Sequence, residues 1–409
     1  MRQIIVCGLG RFGIHVVEAL REAGRTVTVI SDNKTSRDRL ERVEAAGVRV
    51  IEGDFRFSSV RREAGVPAAA AVLLTTSSDV DNLETALEIR GEAPAVPVIM
   101  RHSEPQFGRR LEKDFGLSAV MAPAVLAAPS FAEAAMAATA EASLLLDRGI
   151  TLDVPRRRVR FDFIMIPLLL LALYGSAIVI FRQSLKLDWV DSAYFTTSVV
   201  TTVGFGDFNL QHAPVWVKLF GILLMFGGIV LVAMFASLLT LFVVSGAANQ
   251  VRNEFRASRL RGHVVICGLG QVGVAIARDL RRRDIPVVAV DPSACDDEHR
   301  ELNLRCPLIV GDAKTPSVLA RAGIARARAV IACTSNDALN LEIGLTAQGV
   351  VDGRRGDRPL RLVLRCFDPD LARRIHAVSD NYTLLSEAQI AAPVFVRKAL
   401  QQAASTLTS

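Results

Sequence analysis

The stretch "VVICGLGQVG", Val264–Gly273, restates "IIVCGLGRFG", Ile4–Gly13, 260 positions further along the chain. Each begins with a short apolar run, which reads as a strand buried on both faces. A G-x-G-x-x-G turn follows: Gly8, Gly10 and Gly13 in the first copy, Gly268, Gly270 and Gly273 in the second. The first glycine of such a turn permits the tight bend. The second lets backbone approach a pyrophosphate, and the third lets the following helix pack on the strand. Unpaired N–H groups at that helix's N-terminus then favour phosphate.

The repeat continues outward. Asp32 matches Asp291, and each ends the next strand where a carboxylate can accept from ribose hydroxyls. "EGDF", Glu52–Phe55, matches "VGDA", Val310–Ala313; "TSSDVDN", Thr76–Asn82, matches "TSNDALN", Thr334–Asn340. Arg101 and Arg365 each close an apolar strand ahead of Glu104-Pro105 and Asp368-Pro369, and "APSF", Ala128–Phe131, matches "APVF", Ala392–Phe395. One duplicated domain accounts for all of this. The growing offset places an insertion at "DGRRGDRP", Asp352–Pro359. In the first copy strands are expected near Ile4–Cys7, Thr26–Ile30, Val48–Ile51, Ala71–Leu74, Val96–Met100 and Ala119–Met121. Alternation of these runs with helical segments predicts two α/β Rossmann-like domains, each a parallel sheet with helices on both faces.

Between the copies the composition changes. Phe163–Phe181 and Leu219–Val244 carry no charge, and each is long enough to cross a bilayer as a helix, which takes about 20 residues. Overall the 409 residues are 51% hydrophobic, with a mean hydropathy of +0.33 and a net charge of +6. Basic clusters at Arg156–Arg160 and Val251–His263 flank the apolar runs, so they read as membrane-edge charge that holds both flanks in the cytosol. No aromatic-basic interleaving of the kind that grips single strands is present, so no nucleic-acid partner is expected. None of the six cysteines (Cys7, Cys267, Cys295, Cys306, Cys333, Cys366) forms a C-x-x-C pair, which fits reduced core thiols. The histidines show no repeated placement, and about 140 residues after each turn leave no room for a substrate domain. Catalysis is therefore not expected.

The last stretch to place is "TTVGFGD", Thr201–Asp207, between the two apolar runs. A short helix capped by Asp188 would precede it. Thr202-Val203-Gly204-Phe205-Gly206 matches the potassium-channel filter pattern T-V-G-Y-G, in which carbonyl oxygens replace the ion's hydration shell. Potassium would bind at Thr202, Val203, Gly204 and Phe205. Phe205 replaces the commoner Tyr and removes a hydroxyl, not a carbonyl.

Residues 161–245 thus resemble the all-α two-helix transmembrane pore of a potassium channel, and the flanks resemble RCK (regulator of potassium conductance) N-lobes, as found in ligand-gated potassium channels and Trk/Ktr-type uptake regulators. The resemblance divides the chain into an RCK N-lobe at 1–150, a basic linker at 151–160, the pore at 161–245 with filter 202–206, a linker at 246–262, and a second N-lobe at 263–409. It implies a nucleotide-gated potassium channel in the cell (inner) membrane: a homotetramer beneath which eight cytosolic RCK-like domains form a ring. The regulatory ligand would be an adenine nucleotide or NAD(H). Its contacts would be Gly8, Gly10, Arg11, Phe12, Gly13, Asp32, Asp54, Phe55, Thr76 and Arg101 in the first site. In the second they would be Gly268, Gly270, Gln271, Val272, Gly273, Asp291, Asp312, Ala313, Thr334 and Arg365. Arg11, set beside the phosphates, would favour more highly charged nucleotides in the first site. Gly227 and Gly228, mid-span, suit either a gating hinge or close helix packing. Two departures stand out: one RCK copy precedes the pore, and neither shows the usual C-terminal lobe. The alternatives are a potassium uptake transporter subunit and, from another class, a membrane-tethered NAD-dependent oxidoreductase.

Overall fold

The structure is a computed structural model. It describes residues 2–32, 35–137, 161–244, 247–293, 304, 306–351, 360–378 and 381–408. The basic cluster at Arg156–Arg160, the expected loop at Asp352–Pro359 and Cys295 lie outside the described residues. Two compact units emerge: Met1–Leu152 with Asn253–Ser409, and Asp153–Arg252.

The first unit holds both α/β lobes. Lobe 1 runs β1 (Ile4–Cys7), α1 (Arg11–Glu22), β2 (Val27–Ser31), α2 (Arg37–Ala45), β3 (Arg49–Glu52), α3 (Ser58–Glu63), β4 (Ala71–Leu74), α4 (Asp79–Glu92), β5 (Val98–Arg101), α5 (Pro105–Phe115), β6 (Ala119–Met121) and α6 (Pro123–Met136). The helical unit follows with α7 (Phe161–Leu185), α8 (Trp189–Val200) and α9 (Val215–Val244), and α10 (Ala247–Arg259) leads out of it. Lobe 2 comprises β7 (Val264–Cys267), α11 (Gln271–Arg282), β8 (Val287–Asp291), β9 (Leu308–Val310), α12 (Pro316–Arg321), β10 (Ala329–Ala332), α13 (Asp337–Val351), β11 (Arg361–Arg365), α14 (Pro369–Val378), β12 (Tyr382–Leu385) and α15 (Glu387–Thr408).

Both sheets are parallel and six-stranded, ordered β3-β2-β1-β4-β5-β6 and β9-β8-β7-β10-β11-β12. Strands β1 and β7 are buried along their whole length, as a sheet covered on both faces requires. In each sheet the order reverses beside the first strand, and the crevice at that switch point lies over the glycine turn.

The two lobes exchange their last helices. The alanine-rich face of α6 (Ala124, Ala127, Ala128, Phe131, Ala132, Ala135) packs into the lobe 2 core with Ile266, Val272 and Ile276. Reciprocally, Ala388, Ala391, Ala392, Phe395 and Ala399 of α15 pack with Val6, Phe12 and Val16 of lobe 1. Small side chains allow close approach on both faces, and each phenylalanine fills the gap left between them. Phe395 meets Phe12 edge-on at 4.8 Å. The duplicated "AP-x-F" segments are these two faces.

The lobes differ under α3. Arg61, 1% exposed, donates to Glu92 at 2.7 Å and to the carbonyls of Phe55 and Arg56, and pairs with Glu88 at 2.6 Å. Leu319, Thr346 and Val350 stand at the equivalent positions of lobe 2. The hydrogen bond from Arg61 holds Glu92 below the usual carboxylate range, with burial opposing. Because the folded value is the lower one, the pair contributes in full above the unfolded value of about 4.3 and is lost as pH falls through the depressed value. On acidification α3 and α4 are expected to gain hydrogen exchange before α12 and α13. Simultaneous loss of protection would refute this, as would an unchanged order in Glu92→Gln.

In the second unit, α8 is capped by Asp188, which accepts from the Asp191 N–H at 2.7 Å. Phe181 of α7, Phe195 and Val200 of α8, and Val217 and Leu224 of α9 share a core. Pro167–Leu185 and Val215–Thr240 are long and apolar enough to cross a membrane, and little of either is buried within the chain. Helix α9 continues through Gly227 and Gly228. A Cβ on Gly228 would lie 3.5 Å from Val200 Cγ1, so this glycine lies against α8 in ordinary contact.

Candidate functional site

The segment after α8 folds back on that helix. The N–H groups of Val203 and Gly204 donate to the Ser198 carbonyl at 3.0 and 3.2 Å, and that of Phe205 to Ser198 Oγ at 3.3 Å. The peptides are trans, so each carbonyl opposes its N–H. The carbonyls of Thr202, Val203 and Gly204 therefore face away from α8. Positive φ at Thr202 (61°), Gly204 (55°) and Gly206 (84°), alternating with Val203 and Phe205, gives the chain this form. The Val203 and Phe205 side chains are exposed in the single chain, and the Phe205 ring stacks parallel on Tyr194 at 6.2 Å.

In the lobe 2 crevice, Gly268 takes φ of +99°, and Gly273 stands where a Cβ would lie 1.9 Å from the Gly268 carbonyl oxygen. Gly273→Ala must therefore spread the turn. It is expected to cost about 1–3 kcal/mol, the usual range for overpacking, and to remove ligand binding with it. An unchanged melting temperature would contradict the close approach. Asp291 accepts from the N–H of Leu269 at 2.7 Å and of Ser293 at 2.8 Å, which seats it across from the glycine turn. The cleft, of about 470 Å³, brings together Gly268, Gly270, Gln271, Val272, Asp291, Asp312, Ala313, Thr334 and Arg365. All of the residues predicted for site 2 thus line it save Gly273, which lies under the turn. Burial pushes the Cys333 thiol in its floor up to about 12, so it is neutral and no nucleophile at ordinary pH.

Lobe 1 repeats the turn, with Gly8 at φ +97° and Gly13 against the Gly8 carbonyl, but several predicted residues serve other ends. Arg11 leaves its own turn: it donates to the Ser335 carbonyl of lobe 2 at 3.1 Å and lies over the Phe367 ring at 4.7 Å. Gln271 makes the reciprocal reach, donating to Ser103 Oγ of lobe 1 at 2.5 Å. Phe12 and Phe55 are core residues. Asp32 lies within 3.4 Å of the Thr35 hydroxyl, and Asp54 is bound by Arg56. Thr76 and Thr334 donate their hydroxyls to Asn82 and Asn340, each at 2.7 Å. Those fully buried asparagines in turn donate to the carbonyls of Arg101 and Arg365, tying the two strands that wall each crevice. Their repeat in "TSSDVDN" and "TSNDALN" was the available signal.

Where the lobes meet, a cavity of about 330 Å³ is lined by Gly10, Arg11, Arg101, Arg365, Phe367 and Glu387 among others. Burial draws the Arg101 guanidinium below its usual value, with Glu387 and Asp79 opposing. Arg365 donates to Glu387 at 2.5 Å.

The end of α6 and helix α10 are both fastened to lobe 2. The end of α6 is held by Arg361, which donates to the Ala134 carbonyl at 3.3 Å, and by Arg328, 3.0 Å from Met136 Sδ. Helix α10 buries Ala257 in the lobe 2 core and pairs Glu254 with Arg321 at 2.7 Å.

The chain belongs to the TrkA-N domain family, whose pattern matches residues 4–123 and 264–377; the ion-channel family matches residues 167–245. Two potassium channel proteins of Methanocaldococcus jannaschii are relatives. Probable potassium channel protein 2 is 28% identical over 170 residues, 40% of this chain and 48% of its own length. Potassium channel protein 1 is 33% identical over 191 residues, 45% of this chain and 56% of its own. The chain thus spans about half the length of the curated relatives it matches. Structures of the GsuK channel share the fold at 16% identity and a TM-score of 0.55. The ADP-bound form matches over 98% of this chain and 69% of its own, the NAD-bound form over 100% and 65%.

Proposed function

We propose that this chain is a subunit of a potassium-selective channel gated by nucleotide. The observation that carries the reading is the row of filter carbonyls turned away from α8, between two spans and within a chain that carries two glycine-turn lobes. Four chains would bring four such rows around one axis, where the oxygens replace the hydration shell of potassium. Eight lobes would then form the regulatory ring on the cytoplasmic side. The glycine turns suit phosphate, and Asp291, across from the turn in lobe 2, suits the ribose of an adenine nucleotide or NAD(H); GsuK channels bound to ADP and to NAD support that class. Helix α10, paired to lobe 2 through Glu254 and Arg321, would carry a change in the lobes toward α9. No catalysis is assigned to this chain.

The test is recording in planar bilayers with AMP, ADP, ATP or NAD(H) on the side of the lobes. Expected are potassium currents with sodium largely excluded and an open probability that responds to at least one nucleotide. Unselective or absent currents from intact tetramers would reject the channel, and selective currents indifferent to all nucleotides would reject the gating.

A further inference from the structure

We propose that each chain takes one adenine nucleotide, in the lobe 2 cleft, and that the lobe 1 crevice does not admit an adenine base. The inference rests on the nucleotide reading above and assigns its site.

An adenine ring is flat and largely apolar on its faces, and a slot for it needs apolar walls with polar groups only at the edge. Lobe 2 provides them. Ala313 at the end of β9, and Leu339 and Ile343 on the first turns of α13, all line the cleft that also holds the glycine turn and Asp291. The equivalent positions of lobe 1 are Phe55, Asp81 and Thr85. Thr85 is fully buried, and its hydroxyl has no hydrogen-bond partner among the described residues.

Asp81 is the decisive difference. Arg56 grips Asp54 through Nε at 3.1 Å and Nη2 at 2.7 Å, and reaches Asp81 through Nη1 at 3.4 Å. This carboxylate–guanidinium–carboxylate bridge spans from the end of β3 to the start of α4. Those are the same two places between which Ala313 and Leu339 stand in lobe 2. A base entering lobe 1 there would displace these half-exposed pairs, each of which is weak, and would lay its apolar face against the carboxylate of Asp81, desolvating a charge where lobe 2 offers the side chain of Leu339. In lobe 2 Lys314 stands where Arg56 does. Among the described residues it makes one longer pair, with Asp312 at 3.7 Å, and Leu339 offers no second carboxylate to bridge to. Phe55 adds bulk: it fills the lobe 1 core at the position where lobe 2 has the methyl group of Ala313.

The test uses the intact tetramer in detergent. Equilibrium dialysis with ADP and with NAD should give one bound nucleotide per chain, and photolabelling with 8-azido-ATP should mark peptides of 337–351 and not of 79–92. Leu339→Asp, which transplants the lobe 1 residue, should weaken ADP binding at least about 30-fold. Two nucleotides per chain, or label on residues 79–92, overturns the inference and leaves the nucleotide reading standing. No binding of any nucleotide overturns both. The stoichiometry and the labelling are read on the unaltered protein, so they decide the matter however Leu339→Asp folds.

Discussion

Serine at Gly206 is expected to abolish potassium flux. Gly206 holds φ of +84° and Gly204 +55°, and between them Phe205 donates its N–H back to Ser198. A Cβ at either glycine meets no atom of its own chain within 4 Å, so the obstacle is backbone conformation rather than a clash. Left-handed backbone costs an L-residue about 1–2 kcal/mol, and the proposed four-fold pore would incur that cost in every chain, about 4–8 kcal/mol in all. The strain is relieved by turning the peptide, which moves a carbonyl off the ion path. Flux into potassium-loaded liposomes should fall to background in Gly206→Ser, while nucleotide binding, which depends on the other unit, stays within about twofold. Wild-type flux and selectivity in this variant would remove the filter assignment. Thr202 shows how much unfavourable backbone the segment already carries, since a β-branched residue rarely adopts φ of +61°.

How far such features could be read from the chain depended on what enforces them. Strands β1, β4 and β6 fall on the expected residues, because an apolar run bounded by a glycine turn or a polar loop leaves little freedom in where pairing starts. Strand β2 starts one residue later than expected, at Val27, where register with Ile4 sets the boundary rather than composition. The glycine turns were legible because only glycine fits: the 1.9 Å approach at Gly273 is a steric fact written into one letter.

Contacts between the lobes were not legible. Arg11 follows its glycine turn as a phosphate ligand would, and its long side chain can reach many partners; only the position of lobe 2 brings Ser335 and Phe367 within reach. Arg56 carries no motif, and its importance arises from Asp81, 25 residues away and on another element. The buried Arg61 pairs with Glu92 across a similar distance in sequence, and a charged residue in a helix ordinarily reads as solvated surface. The exchange of α6 and α15 is the largest such case. Pattern shows that each helix has an alanine-rich apolar face. It cannot show which of two nearly identical cores that face covers.

That exchange gives the second large effect. Phe395 is fully buried and belongs by sequence to lobe 2, yet its ring lies edge-on to Phe12 in lobe 1. Phe131 is its counterpart, fully buried in the lobe 2 core while belonging by sequence to lobe 1. Truncating a buried phenylalanine to alanine removes its transfer free energy and leaves a cavity, about 3–5 kcal/mol together. Phe395→Ala is therefore expected to lower the stability of the lobe pair by that amount. Hydrogen exchange should rise first in β1 and β4, more than two hundred residues away in sequence. Phe131→Ala should act in reverse, loosening β7 and β10 before β1. For the same reason residues 1–150 expressed alone lack α15 and expose Phe12, Val16 and Leu20, so the separate lobe is expected to aggregate, whereas the two lobes joined in one polypeptide remain soluble. Protection lost only in the lobe whose own segment carries the substitution would contradict the exchange, and a monomeric, cooperatively unfolding 1–150 fragment would do so independently.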